Sequence, residues 1–277
     1  MQQQDREGRR ATFDRVALLY DQVRPGYPDA LFDDIAALSG SGPGGQVLEI
    51  GCGTGKASVP LARRGYRVSC VELGANLAAI ARRNLAPYPG CEVHVGAFED
   101  WRGSPEAFDL AVAAQAFHWL DPAQALPKIA AALKPGASIA LIRNAVVQAE
   151  DSEPDSPQDF ATAVQEIYHR WAPPMARNWT PPPRADDLRH EEAEHLAASG
   201  LFGPVAVRHY PWRAAYSTHE YTALLETASD HLVLDGGTRR SLLDGIAELI
   251  DACFGGQIVR SYVACLYLAR KQDGPPG

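Results

Sequence analysis

Three glycines alternate in the stretch LEIGCGTGK, Leu48 to Lys56, directly after an apolar run, and Glu49 precedes the first of them by two residues. Glycine tolerates positive φ and lets the backbone close on a ligand, so Gly51, Gly53 and Gly55 describe a loop pressed against something. A loop between a strand and a helix offers free N–H groups and a positive helix end to an anionic group. The residues therefore point to a nucleotide-like cofactor with an acidic moiety. The spacing is G-x-G-x-G, and the frame beginning at Gly53, GTGKAS, lacks the third glycine of G-x-G-x-x-G, which disfavours NAD or FAD. Glu72 stands 17 residues beyond Gly55 at the end of the next apolar run. There an acid can accept both hydroxyls of a ribose; the competing role is a solvated strand-end carboxylate.

A second group of reactive types is AQAFHW, Ala114 to Trp119. His118 titrates near neutrality and is a general-base candidate, against the plainer role of a wall or structural histidine. Gln115, Phe117 and Trp119 are expected to line a pocket with it. Tyr168, His169, Trp171, Trp179, Tyr210, Trp212 and Tyr216 are further aromatic candidates whose commoner use is packing.

These residues need a frame to hold them. Short apolar runs at 46–50, 66–73, 91–96, 108–114 and 138–142 alternate with amphipathic helical patterns at 56–65, 75–86 and 122–136, the rhythm of a parallel sheet with crossover helices. Ligands of such a sheet sit beyond the carboxyl ends of its strands, which is where the glycine loop, Glu72 and AQAFHW fall. After Arg143 the chain turns acidic and rich in proline and serine, around one helical pattern whose Phe160, Val164, Ile167 and Trp171 form an apolar stripe. Residues 145–187 are therefore expected to be an insertion after the fifth strand. It serves either as a cap above the sheet or as a surface excursion docked on the core. Helical patterns at 191–202, 217–233 and 239–254 and strands at 205–212 and 258–269 complete the chain, with Ser217 and Glu220 spaced as a capping box. The expected organisation is a core over 1–144, the insertion over 145–187, and completion of the core by 188–277.

The motifs have a family resemblance. VLEIGCGTG resembles the first motif of class I S-adenosylmethionine-dependent methyltransferases, VEL with Glu72 their ribose-binding acid, and GAFEDW their third strand-end motif. FDRVALLYDQVRPGYP, QAFHWLDPAQAL and LKPGASIAL together resemble the small-molecule branch that includes trans-aconitate methyltransferase-like proteins. The resemblance implies an α/β, Rossmann-like, doubly wound sheet of seven strands with an antiparallel last strand. It implies S-adenosyl-L-methionine as cofactor and methyl transfer to O, N or C of a small molecule. By the same analogy Glu49 braces the loop or the sulfonium side, Gly51, Cys52, Gly53 and Thr54 meet the methionine part, and Gly55 belongs to the same cofactor-binding loop. Glu72 and Leu73 meet the ribose, Ala97 and Phe98 flank the adenine, and Gln115 and Ala116 complete the cofactor wall. Tyr20 and Arg24, in an N-terminal segment that closes over the cofactor, come near the methionine carboxylate, unless they are a packing aromatic and a solvated charge. Phe117, His118, Trp119, Tyr168 and Trp171 are expected at the acceptor. The alternatives are transfer or cyclisation of the aminocarboxypropyl group, and a non-catalytic binding protein on the same fold.

Composition narrows the partners. The 277 residues are 46% hydrophobic, enough to bury a full core, and 34 acids against 26 bases leave a net charge of −8. With no basic run to track phosphates, nucleic acid is an unexpected partner. No segment reaches the roughly 18 apolar residues of a membrane span, and a cytoplasmic monomer or homodimer is expected. Cys52, Cys70, Cys91, Cys253 and Cys265 form no C-x-x-C pair and read as small apolar residues. No histidine spacing supports a metal.

Overall fold

A computed structural model describes residues 13–149, 159–177 and 179–272. Helices α1 (Ala17–Val23) and α2 (Asp29–Ser39) lead into β1 (Gln46–Ile50), four of whose five residues are buried. The units that follow are α3 (Ser58–Arg63) with β2 (Arg67–Glu72), α4 (Ala75–Leu85) with β3 (Glu92–Val95), and β4 (Phe108–Ala114) with α5 (Pro122–Ala132) and β5 (Leu133–Val147). The strands from β1 to β5 are mutually parallel. A parallel strand covered on both faces needs near-continuous apolar sequence, which QVLEI and FDLAVAA supply.

The inserted region holds α6 (Phe160–Trp171) and α7 (Pro173–Arg177), and the chain continues through α8 (Glu191–Ala198), β6 (Ala206–Ser217), α9 (Thr218–Glu226), α10 (Ser229–Leu232), α11 (Gly236–Cys253) and β7 (Gln257–Arg270). The seven strands lie in the order β3-β2-β1-β4-β5-β7-β6, with β7 antiparallel to both β5 and β6. Because β7 runs backwards, its first residues lie beside the end of β5: Val146 pairs with Tyr262 and Val147 with Ser261. The start of β7 thus joins the edge where the parallel strands end.

Several boundaries differ from the periodicity reading. Residues 133–136 belong to β5 rather than to the preceding helix: Phe108 pairs with Leu133 but Leu110 with Ser138, a bulge that lets Gly136 turn at φ +67°. The strand also runs on to Val147, past the expected start of the insertion. The expected helix 217–233 is two helices, because α9 stops at Thr227 and the chain restarts at Ala228 in extended geometry. The Ser217–Glu220 capping box opens α9 as read.

Two cores cover the sheet. Leu31, Phe32, Ile35, Leu61, Ala81 and Leu85 pack on one face, and Leu126, Ile129 and Leu196 on the other. The stripe of α6 docks on α11, with Phe160 and Val164 against Leu242, Ile246 and Ile250, while Tyr221 and Tyr262 join the same cluster from the cavity side. Ile246 is fully buried there. Its replacement by alanine is expected to lower stability by about 2–4 kcal/mol, the range for a buried aliphatic truncation, read as a lower urea midpoint at unchanged slope.

Candidate functional site

The chain leaves β1 through a tight loop in which Gly51, Gly53 and Gly55 have φ of +67°, +57° and +90°. Gly51 has a second reason to lack a side chain, since a Cβ there would lie 2.6 Å from the Ala116 Cβ. The loop is held from below by Glu72, whose carboxylate accepts the N–H of Gly53 (2.8 Å) and of Gly74 (2.9 Å). A carboxylate has about four acceptor positions, so bracing the loop and receiving ribose hydroxyls are compatible tasks. Thr54 is buried, and its hydroxyl has no hydrogen-bond partner among the described residues although it stands at the cavity wall. An orphaned polar atom beside positive-φ glycines suits a polar ligand laid on the loop.

The N-terminal segment forms one side of the cavity and is tied down along its length. Asp14 accepts the N–H of Asn76 (2.7 Å) and Leu77 (3.0 Å), capping α4, whose own N-cap is Gly74. Asp21 pairs with Arg83 at 2.9 Å, and its carbonyl receives Lys56 Nζ. Arg24 lies over the Tyr20 ring at 5.3 Å and donates to the Thr227 hydroxyl (2.8 Å) and carbonyl (2.7 Å), joining this segment to the end of α9. Burial raises the Tyr20 and Tyr27 phenols above their usual range, keeping them neutral donors.

The cavity enclosed is about 590 Å³, within the size range of small-molecule sites. Tyr20, Arg24, Glu49, Gly51, Cys52, Gly53, Thr54, Glu72, Leu73, Phe98, Gln115, Ala116, His118 and Trp119 all border it as the sequence suggested. Gln115 adopts φ +54°, a strained value for a side-chain-bearing residue, and its amide donates to the Asn144 carbonyl at 3.1 Å. His118 is exposed at the rim, with its ring 4.8 Å from that of Trp119.

Other expectations need correction. Gly55 turns the loop without bordering the cavity, and after β3 Gly96 borders it where Ala97 does not. Phe117 turns into the core toward His195, because the 3-10 turn Phe117–Trp119 spreads successive side chains about 120° apart and leaves His118 and Trp119 at the cavity. Tyr168 and Trp171 lie on α6, whose apolar face is spent on α11. The Tyr168 hydroxyl bonds His231 Nε2 at 2.8 Å, and Trp171 is 38% exposed beside Gly245. Trp179 borders a separate cavity. In their place the far wall comes from Tyr221, Leu224, Leu225 and Ala228, together with Asn144, Arg260 and Tyr262. Asn144 follows the strand-end rule and could have been found by it. Arg260 and Tyr262 could not, because only the antiparallel pairing brings the start of β7 to this edge.

Glu49 is fully buried and accepts the Ser58 hydroxyl. Burial pushes its carboxyl up from the usual 4.5 to about 8, an effect the Ser58 bond opposes and the nearby Glu72 reinforces. Cys52 and Cys70 are likewise buried, and the Cys52 thiol is held well above its usual range by its bond to Cys70 and by burial, which leaves it unreactive. Among the described residues no group of His, Cys, Asp and Glu could hold a metal, and no helix is long and apolar enough to cross a membrane.

Comparison with known proteins places this geometry. Residues 47–136 match a family model described as a methyltransferase domain. An uncharacterized methyltransferase of Mycobacterium bovis is 29% identical over 69% of this chain and 74% of its own. The trans-aconitate 2-methyltransferase of Deinococcus radiodurans is 30% identical over 39% of this chain and 41% of its own. A solved structure from Anaeromyxobacter dehalogenans, described as a candidate type II methyltransferase, superposes with a TM-score of 0.63 at 25% identity over 91% of this chain and 99% of that one. Residues 47–136 thus carry a methyltransferase domain, and the matches together support a class I S-adenosylmethionine-dependent methyltransferase with S-adenosylmethionine as cofactor.

Two consequences can be measured. Glu72→Ala is expected to weaken S-adenosylmethionine binding at least tenfold in calorimetric titration, because it removes the brace on Gly53 and the acceptor positions that carboxylate offers a ligand. The pH dependence of stability tests Glu49: between its unfolded value near 4.5 and its folded value of about 8, the folded chain retains a proton that the unfolded chain has lost. Stability of the cofactor-free protein should therefore fall as pH rises through that window, and Glu49→Gln should flatten the slope in denaturant melts.

Proposed function

We propose that this methyltransferase moves the methyl group to an oxygen, nitrogen or carbon atom of a small molecule by in-line displacement at the sulfonium. One observation carries the reading: a single cavity has the glycine loop and Glu72 on one side and the turn at Gln115–Trp119, α9 and β7 facing them across about 590 Å³. That leaves room for an acceptor as well as the cofactor, and the acidic chain favours a small acceptor over nucleic acid. The acidic balance also fits a cytoplasmic monomer or homodimer. The elements of the sheet and α9 supply the site, and α6 of the inserted region supports it through Phe160 on Tyr221 and Tyr168 on His231.

S-adenosylmethionine supplies an activated methyl, so the protein's tasks are placement, exclusion of water and, where required, proton removal. Arg24 and Tyr20 are assigned to the methionine carboxylate, the backbone of Gly51 to Thr54 to the methionine chain, Glu72 to the ribose, and Gly96 and Phe98 to the adenine. Gln115, fixed to the β5 backbone, sets the floor where the acceptor approaches. Placement of a nucleophile at near-attack distance accounts for much of such a reaction. The ring of Trp119, packed at 5.9 Å on Phe13, and the side chains of Leu224 and Leu225 shut water out. His118 takes the proton of a neutral hydroxyl or amine acceptor; an anionic nucleophile requires none.

Calorimetric titration with S-adenosylmethionine and S-adenosylhomocysteine, followed by product analysis with a panel of small acceptors, tests the reading. Binding of both, with S-adenosylhomocysteine as the product left behind, is expected. Methylthioadenosine would mean transfer of the aminocarboxypropyl group instead. His118→Ala is expected to lower turnover at least tenfold on a neutral acceptor while S-adenosylmethionine affinity stays within twofold; full activity would return His118 to the wall.

A further inference from the structure

Among the described residues, the far wall of the cavity holds a cation with no carboxylate paired to it. Arg260, half-buried at the start of β7, donates to the Tyr221 hydroxyl at 3.3 Å and lies 5.9 Å from the centre of that ring. Among the described residues no carboxylate comes within ion-pair distance of it. The one carboxylate on its side of the cavity, Asp230, is engaged with the His231 ring at 2.8 Å. In a chain with 34 acids, such solitude is a feature to be explained.

A guanidinium carries five donors, of which this contact uses one. Withdrawing it partly from water without an anion is unfavourable, and an anion that arrives with a ligand reverses that balance. Its surroundings suit such a ligand. Tyr221 and Tyr262 border the cavity beside it. The arginine's charge reaches the phenols of Tyr216, Tyr221 and Tyr262, where it opposes the upward shift that burial imposes. Those phenols stay protonated; the Tyr262 hydroxyl shares a hydrogen bond with that of Tyr216 at 3.0 Å, and the Tyr221 hydroxyl, which accepts from Arg260, keeps its own proton to donate to an oxyanion.

Arg24, the other cavity arginine, is committed by two bonds to Thr227 and by its ring contact with Tyr20, on the N-terminal side. Arg260 and Val146 also border a second cavity of about 340 Å³, lined by Phe160, Trp179 and Phe254 and by the polar Asp159, Thr162 and Gln257, so an acceptor held by Arg260 has further space on the side away from the cofactor loop.

We propose that Arg260, with Tyr221 and Tyr262, anchors an anionic group, a carboxylate or phosphate, on the methyl acceptor. The inference rests on the methyl-transfer reading above and adds the charge class of the acceptor. A guanidinium pairs both oxyanions in the same bidentate manner.

The test uses protein saturated with S-adenosylhomocysteine, titrated calorimetrically with benzoate, succinate, citrate and phenyl phosphate, and with benzamide, succinamide and phenol as neutral counterparts. At least one anion is expected to bind, at least tenfold tighter than its neutral counterpart. Arg260→Met should weaken that anion at least tenfold and Arg260→Lys by much less, with S-adenosylhomocysteine affinity unchanged in both, which also certifies their folding. Carboxylate and phosphate members distinguish the two oxyanions. The proposal is overturned if no anion binds the loaded protein, if neutral and anionic partners bind alike, or if Arg260→Met leaves anion affinity unchanged. Failure of S-adenosylhomocysteine itself to bind would strike the cofactor reading first, and is seen before any anion is added.

Discussion

Glu72 joins the end of β2 to the loop after β1, accepting the amides of Gly53 and Gly74 at once. Two neighbouring parallel strands are thereby locked at their carboxyl edge, and the loop between them is fixed with its backbone facing outward. The clearance at Gly51 is set by the same arrangement, since Ala116 from the end of β4 fills the space that a side chain would occupy. Three strand ends therefore meet around one carboxylate and one missing Cβ. The rest of the site is arranged around that point: α4 starts from Gly74, and the N-terminal segment reaches α4 through Asp14.

The second determinant is the reversal of β7. In a fully parallel sheet the edge beyond β5 would be closed by another strand end and its crossover loop. Here β7 enters at that edge and delivers Arg260 and Tyr262, while β6 leads directly into α9 at the same level. The cofactor side of the cavity is built by the parallel half of the sheet and the opposite side by the antiparallel half. Such a division lets a common cofactor site coexist with an acceptor wall of different chemistry.

Much of the cofactor side was legible in the sequence because it is local. Strand, glycines and following acid lie within one βαβ unit, and the reasons for their types are backbone reasons. The glycines, Glu72 and Gln115 were readable from strand ends, Glu49, Cys52 and Thr54 from the family resemblance, and the capping box at Ser217 is a four-residue rule. The acceptor side was not legible for the opposite reason. Whether the stripe of Phe160 and Val164 faces a cavity or a neighbouring helix depends on α11, some 80 residues later in the chain. The aromatic residues of the insertion looked suited to a pocket, yet the apolar face of α6 is spent on α11, and the far wall takes its aromatic residues from α9 and β7. Phe117 was misplaced by a single turn of 3-10 helix, a local geometry that residue type does not announce.

The structure of the protein bound to S-adenosylhomocysteine tests most directly the claim that the carboxylate-braced glycine loop is the cofactor cradle. The ribose hydroxyls are expected within hydrogen-bond distance of Glu72, the amino-acid chain along Gly51 to Thr54, and Arg260 left open on the far wall. Ligand density elsewhere, or a ribose turned away from Glu72, would contradict it.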